Sequence, residues 1–236
     1  MTEIQYTPER FPQIAADKLM TVSHSLAGPW FSQVDWPWLI LPLIKEIILQ
    51  IGPTLPKDEY EQIEDQIWIA RDARVASSAS LAGPLIIGHE TEIRHCAFIR
   101  GSALVGDGAV VGNSTELKNS ILFDRVQVPH YNYVGDSILG YRAHMGAGSI
   151  TSNVKGDHSN ISVRINDVRI PTGLRKFGAL LGDQAEVGCN SVLNPGSILG
   201  ARCQIYPLSM VRGYVPEDTI YKQNNNIVLK NSPLTE

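Results

Sequence analysis

No stretch of this chain is apolar enough, for long enough, to cross a bilayer as a helix. The most apolar segment, Trp36 to Ile51, is interrupted by Pro42, Lys45 and Glu46, whereas a spanning helix needs about 20 apolar residues in succession. It reads as a packed helix with Pro42 near its start, and no membrane partner is expected. A secretory leader is not expected either, because Glu3, Glu9 and Arg10 break any apolar core near the amino terminus. Cysteine is scarce. Cys96, Cys189 and Cys203 are an odd set without a Cys-x-x-Cys pair, which argues against a disulfide framework and for the reduced thiols of a cytoplasmic protein. There is no Lys/Arg block, and the net charge is −4. A phosphate-tracking stripe is therefore missing, and nucleic acid is not an expected partner.

What the chain has is a period of six. Ile69, Val75, Leu81, Ile87, Ile93, Ile99, Val105, Val111 and Leu117 form a first run. After slips to five come Leu122, Val128, Val134, Leu139 and Met145, and a third run is Leu181, Val187, Leu193, Leu199, Ile205 and Val211. Six fits neither the 3.6-residue turn of an α-helix nor the two-residue alternation of a strand. It fits a solenoid in which each hexad makes one short strand and one turn, with the apolar residue pointing to the axis. Three hexads close a coil, so residues about 18 apart stack at roughly the 4.8 Å spacing of a sheet.

The hexads divide the chain. Residues 1–65 lack them and hold three of the four tryptophans, Trp30, Trp36 and Trp38. They are expected to form a helical arm or cap over the open first coil, since solenoid ends need covering. Residues 66–213 are the coils, interrupted at 154–175 by an insertion rich in charge, the mark of a functional loop on one face. Residues 214–236 form a polar tail containing Gln223-Asn224-Asn225-Asn226, expected as a mobile or packed terminal strand.

Stacking tells which polar residues are neighbours. Arg100 and Lys118 each follow a ladder residue and lie one above the other. Two stacked cations repel unless an anion lies between them. One position earlier, Phe98, Glu116 and Tyr133 stack. Either Glu116 merely neutralises Lys118 on a solvated surface, or the cations hold a phosphoryl group to which Tyr133 adds a hydroxyl. His130 follows Pro129 at a corner one coil above this pair. It is either a structural histidine or a general base, for which an imidazole titrating near neutrality is suited.

The segments Glu116-Leu117-Lys118, His130-Tyr131-Asn132-Tyr133-Val134-Gly135-Asp136 and Gly146-Ala147-Gly148-Ser149-Ile150-Thr151-Ser152-Asn153 resemble the acetyltransferase domain of bacterial bifunctional N-acetylglucosamine-1-phosphate uridyltransferases. The resemblance covers roughly residues 66–213. It implies an all-β, left-handed parallel β-helix, assembled as a homotrimer with active sites in the grooves between subunits. It also implies transfer of an acetyl group from acetyl-CoA, as cosubstrate, to the amine of glucosamine 1-phosphate. Carried over by position, Arg100, Lys118 and Tyr133 would contact the sugar phosphate, and His130 would be the base. Lys176 would belong to the sugar site, Asn153 to the boundary of acyl-CoA and sugar, and Ala147 to the pantetheine. Cys189 falls where the family commonly has a serine near CoA. His144 stands where the family has a sugar-binding asparagine, and Pro207 where it has a small residue near CoA.

Three function classes follow. An N-acetyltransferase acting on an amino-sugar phosphate needs the base and the clamp, and both are present. A non-catalytic module sensing a sugar phosphate would keep the fold without the reaction. A zinc hydro-lyase on such a helix needs a histidine pair five apart, which His24, His89, His95, His130, His144 and His158 do not provide; no metal is expected. Nucleotidyl transfer is not expected either, because residues 1–65 hold no Gly-rich phosphate loop and are too short for a nucleotide-binding sheet.

Overall fold

The computed structural model describes residues 6–222 and 226–230. Glu3, the run Gln223 to Asn225 and residues 231–236, on which parts of the terminal expectations rest, lie outside them. The hexads become strands of two to seven residues, each paired in parallel with its counterpart one coil away. Leu85–Ile87 pairs with Ala103–Val105. That strand pairs with the second half of Glu116–Leu122, which pairs along its length with Tyr133–Leu139. About 9 turns form the left-handed parallel β-helix.

Three faces result. Glu116–Leu122 and Tyr133–Leu139 bend around a corner and so belong to two of them. Their leading ends pair with Phe98–Ile99 and Ile150–Thr151 on a first face. Their trailing ends pair with Ala103–Val105 and Ala179–Leu181 on a second. The third face is a separate sheet containing Val110–Asn113, Gln127–His130 and His144–Met145. Asn119 and Asp136 hold the corner between the first and second faces at φ 49° and 47°, a left-handed conformation that Asn and Asp tolerate better than most side chains.

The ladder residues point inward. Ile87, Ile99, Val105, Val111, Leu117, Leu122, Val128, Val134, Leu139 and Met145 are 0% exposed, each contributing roughly 1.5–3 kcal/mol through burial. Val75 and Leu81, in the first coil, are exposed and half-buried, because no coil lies beneath them.

The second face is buried on both sides. Ile86, Leu104, Ile121, Ile138, Leu180 and Ile198 point away from the axis, between the inward residues of their strands, yet are 0% exposed. The amino-terminal arm covers them. Its helical turns touch this face at Ala103–Val105, Glu116–Leu122 and Tyr133–Leu139. The arm thus lies mainly along the side of the solenoid, where it removes the outward apolar column from water, and only its last part reaches the first coil, where the cap was expected. The Asp183 amide donates to the Leu19 carbonyl at 2.8 Å, and the Asp124 amide to that of His24 at 3.0 Å. His24 stacks on Tyr141 at 3.9 Å between ring centres. The expected helix starts later than the apolar run: Pro37–Leu43 is 3₁₀, with Pro42 inside it, and the α-helix is Ile44–Ile51. Pro42 has no N–H for an α-helical bond, which holds the turn before it tighter. Ile44, Ile47, Ile48 and Ile51 form its buried stripe. At the first coil, Tyr60–Glu64 adds an antiparallel strand to Ile67–Ala70.

The coils also run past residue 213, where the tail was expected to begin. Tyr214–Val215 and Thr219–Lys222 continue two faces, and Asn226–Leu229 folds back antiparallel on the latter. The insertion is an antiparallel hairpin of Ser162–Ile165 with Val168–Pro171, its buried Ile161, Val163, Ile165 and Ile170 facing the later coils.

Candidate active site

The stacking predicted from the hexads places Phe98, Glu116 and Tyr133 in one register on the first face, with Arg100 and Lys118 at its far corner. Each cation there has its own carboxylate. Arg100 Nη1 meets Glu116 Oε1 at 2.8 Å, and Lys118 Nζ lies 3.5 Å from Asp136 Oδ2. Glu116 therefore pairs with Arg100, not with Lys118 as the surface alternative supposed. Its hydrogen bond and charge hold the Arg100 guanidinium above its ordinary pKa.

Asp136 is the organising group, and the sequence did not single it out. It is 4% exposed, and its carboxylate accepts from Asn119 Nδ2 at 2.9 Å and Asn153 Nδ2 at 2.5 Å, besides Lys118. The same Asn153 amide donates to the Tyr133 hydroxyl at 3.2 Å. Asn119 also donates to the Leu41 carbonyl at 3.1 Å, which ties the arm to the site. Tyr133 lies across Gly135: a Cβ on that glycine would come 2.5 Å from the Tyr133 hydroxyl, so any side chain there would displace the ring. Burial, then the charges of Asp136 and Glu116, raise the Tyr133 pKa above the ordinary phenol value, partly offset by the Asn153 bond. Tyr133 is a neutral hydrogen-bond donor and acceptor at physiological pH.

Lys176 is exposed at the foot of the hairpin, and the next residue, Phe177, bonds its amide to the Asn153 carbonyl at 3.0 Å. Arg100, Lys118, Tyr133, Asn153 and Lys176 are thus brought to one corner. His130 stands at the opposite edge of the same face, where the third face turns into the first. It is exposed, and its ring makes no hydrogen bond among the described residues. Its edge is set from within: Asn132, 2% exposed, accepts from the His130 amide at 3.1 Å and donates to the Gly146 carbonyl at 2.8 Å.

Ala147 and Cys189 continue the His130 edge in the following coils, since Gly148 bonds its amide to the His130 carbonyl and Asn190 to that of Ala147. The edge is narrow as well as open. A Cβ on Gly146 would fall 2.8 Å from the Cys189 amide, and Cys189 is exposed. Cys203, the buried thiol, is pushed up to about 12 by burial, and is inert. His144 is not brought to the clamp within one chain. It lies on the third face in register with Gln127 and Glu186, and its Nδ1 is 2.7 Å from Glu186 Oε2.

Comparison with known proteins places this geometry. A family model described as the GMPPB C-terminal domain matches residues 81–175. The chain is 34% identical over 109 residues to a bifunctional sugar-1-phosphate nucleotidylyltransferase/acetyltransferase of Sulfurisphaera tokodaii, covering 46% of this chain and 27% of that protein. It is 31% identical over 117 residues to the bifunctional protein GlmU of Methanococcus aeolicus, covering 50% of this chain and 28% of that one. Over 176 residues it is 29% identical to the uncharacterized acetyltransferase YaiX of Escherichia coli, covering 75% of each chain. The chain spans little more than a quarter of the bifunctional relatives it matches. The likeness to hexapeptide-repeat acyltransferases of the GlmU kind, visible first in residues 116–153, is therefore real, and it joins the coil block of this chain to one part of longer proteins.

Proposed function

We propose that the chain is an acetyl-CoA-dependent N-acetyltransferase acting on an amino-sugar phosphate related to glucosamine 1-phosphate. The observation that carries this is the division of one face into two chemically distinct edges. A cationic corner of Arg100, Lys118 and Lys176, with the Tyr133 hydroxyl, suits a phosphate monoester. The opposite edge presents an exposed imidazole in line with the small residues Ala147 and Cys189. The phosphate of the acceptor would be held at the first edge, and the acyl group would be delivered along the second.

The reaction is direct transfer. The amine nitrogen attacks the thioester carbonyl carbon while His130 takes the proton the nitrogen loses. Collapse expels the thiolate, which recovers a proton, and the amide is formed without a covalent enzyme intermediate. Ala147 and Cys189 would flank the extended thioester arm, and Asn153 would lie where acyl group and sugar meet. Tyr131, Leu208 and Met210 are 62%, 70% and 67% exposed beside the His130 edge. Such an apolar flank suits a second copy of the chain, in keeping with a homotrimer whose grooves hold the sites. We place the protein in the cytoplasm, where acetyl-CoA and reduced thiols coexist.

A sugar-phosphate sensor without catalysis is the second reading, favoured by the pairing of Arg100 and Lys118 with Glu116 and Asp136. Thiol release from acetyl-CoA, measured with a panel of amino-sugar 1-phosphates, separates the two. Acceptor-dependent release is expected; saturable acceptor binding with no release would favour the sensor.

A further inference from the structure

The insertion hairpin encloses a pocket of about 540 Å³ that the proposed transfer does not use. That volume falls in the range of small-molecule sites. Its walls include Ser152, Lys155, Arg164, Arg169, Asn194 and Arg212, with Asp157 as their acidic member. Ser152, Asn194 and Arg212 belong to the outward column that begins with Arg100 and Lys118, as the Ser152 to Leu193 and Asn194 to Val211 backbone bonds show. The pocket is thus on the clamp side of the first face, away from the His130 edge.

Its charge is concentrated and only partly matched. Arg164 and Arg169 are directly opposite across the hairpin, a like-charge pairing that weakens a hairpin unless something anionic joins it. The Arg164 backbone is seated on Gly213, where a Cβ would come 2.7 Å from the Arg164 carbonyl oxygen, so the hairpin brings its arginines down onto Arg212. Asp157 is taken up by Lys155 at 3.7 Å and by Ser159. Arg164 donates through Nε to the Asn166 carbonyl at 3.1 Å, leaving its terminal nitrogens. Arg169 and Arg212 make no side-chain hydrogen bond or ion pair among the described residues.

Three planar forks around one cavity match the several non-bridging oxygens of linked phosphates better than a single carboxylate. We propose that this pocket binds a diphosphate group. Two molecules could bring one: a nucleotide-linked sugar, or the acyl carrier with the diphosphate of its nucleotide end. The assignment concerns binding alone and holds whichever molecule brings the diphosphate.

The test is calorimetric titration of the full chain with inorganic pyrophosphate, UDP and coenzyme A. Wild type is compared with the double variant Arg169→Ala/Arg212→Ala and with Arg94→Ala, a surface arginine paired with Glu92 outside both sites, circular dichroism checking the fold. Pyrophosphate should bind wild type, weaken by about 10-fold or more in the double variant, and stay within about twofold in Arg94→Ala. Whichever of UDP or coenzyme A weakens in parallel identifies the source of the diphosphate. Should the double variant not fold, the single changes Arg169→Gln and Arg212→Gln carry the same comparison. No pyrophosphate binding by wild type, or equal binding by the folded variants, would overturn the proposal.

Discussion

Lys118 and Asp136 lie in successive coils with Nζ 3.5 Å from Oδ2, and the Asp136 carboxylate is almost wholly removed from water. A buried charge persists only when paired and hydrogen-bonded. Asp136 meets that condition through Lys118, Asn119 and Asn153, each from a different position of the column. Asp136→Ala should therefore destabilise the fold by about 3 kcal/mol, the scale for removing one partner of a buried charged network. Asp136→Asn, which keeps the shape, should cost less while still loosening Asn153 and Tyr133. Chemical denaturation of both variants checks the order; equal stability of Asp136→Ala and wild type would remove Asp136 from this role.

Glu116 competes with any phosphate for Arg100. Arg100→Ala and Lys118→Ala should each weaken a phosphorylated acceptor by roughly 1.5–3 kcal/mol, the worth of a hydrogen bond to a charged group, and leave an unphosphorylated amino sugar nearly unaffected. Glu116→Gln should act in the opposite direction and tighten the phosphorylated acceptor, since the guanidinium no longer has to leave a carboxylate. Binding isotherms with matched acceptors decide this. Equal losses with and without phosphate would make the pair a surface feature.

The solenoid was legible in the sequence because one inward residue per hexad must be apolar for the coil to close, and a fixed period survives any choice of polar neighbours. The arm's position was harder to see. Its signal is two or three successive apolar residues on the second-face strands, as in Leu85-Ile86-Ile87, Ala103-Leu104-Val105, Ile121-Leu122, Ile138-Leu139 and Ala179-Leu180-Leu181. A half-exposed strand would alternate; these do not, because both sides are buried. That Arg100, Lys118 and Tyr133 are neighbours was legible through stacking arithmetic. Asp136 was not, because an acid following a glycine at a corner looks like turn chemistry until its three donors are placed. His144 likewise needs the register, which puts it beside Glu186 on another face.

Deleting part of the buried outward column tests that account. Leu104→Ala, on the arm-facing side, should cost about 2–5 kcal/mol, as much as Leu117→Ala on the axial side, because both leave a cavity in a filled core. If the arm packed only loosely, Leu104→Ala would cost far less, and thermal unfolding of the two variants would show it.

Tyr133 supplies a pH signature. Its folded pKa is raised above its unfolded value, so the protonated phenol is favoured by folding. The stability it contributes is fully present below the ordinary phenol value of about 10, and is lost as pH rises through the higher folded pKa. In the tyrosinate absorbance difference between wild type and Tyr133→Phe, the titration should lie above that value. Stability of the variant should fall less steeply on the alkaline side. A difference spectrum titrating at or below about 10 would contradict the burial and the acidic surroundings assigned to this hydroxyl.

His130 is exposed and its ring makes no hydrogen bond among the described residues, so His130→Ala should leave the melting temperature close to wild type. If it is the base, turnover should fall by about 10²–10⁴-fold, the range for removing a positioned proton acceptor. The loss should appear in kcat more than in KM, because the phosphate edge that anchors the acceptor is untouched. The residual rate of the variant should rise with pH, as a larger fraction of the amine reaches the site already deprotonated. Steady-state thiol release across pH, alongside a thermal melt, measures all of this at once. Near wild-type kcat in a folded variant would take His130 out of the chemistry and leave the face as a binding surface.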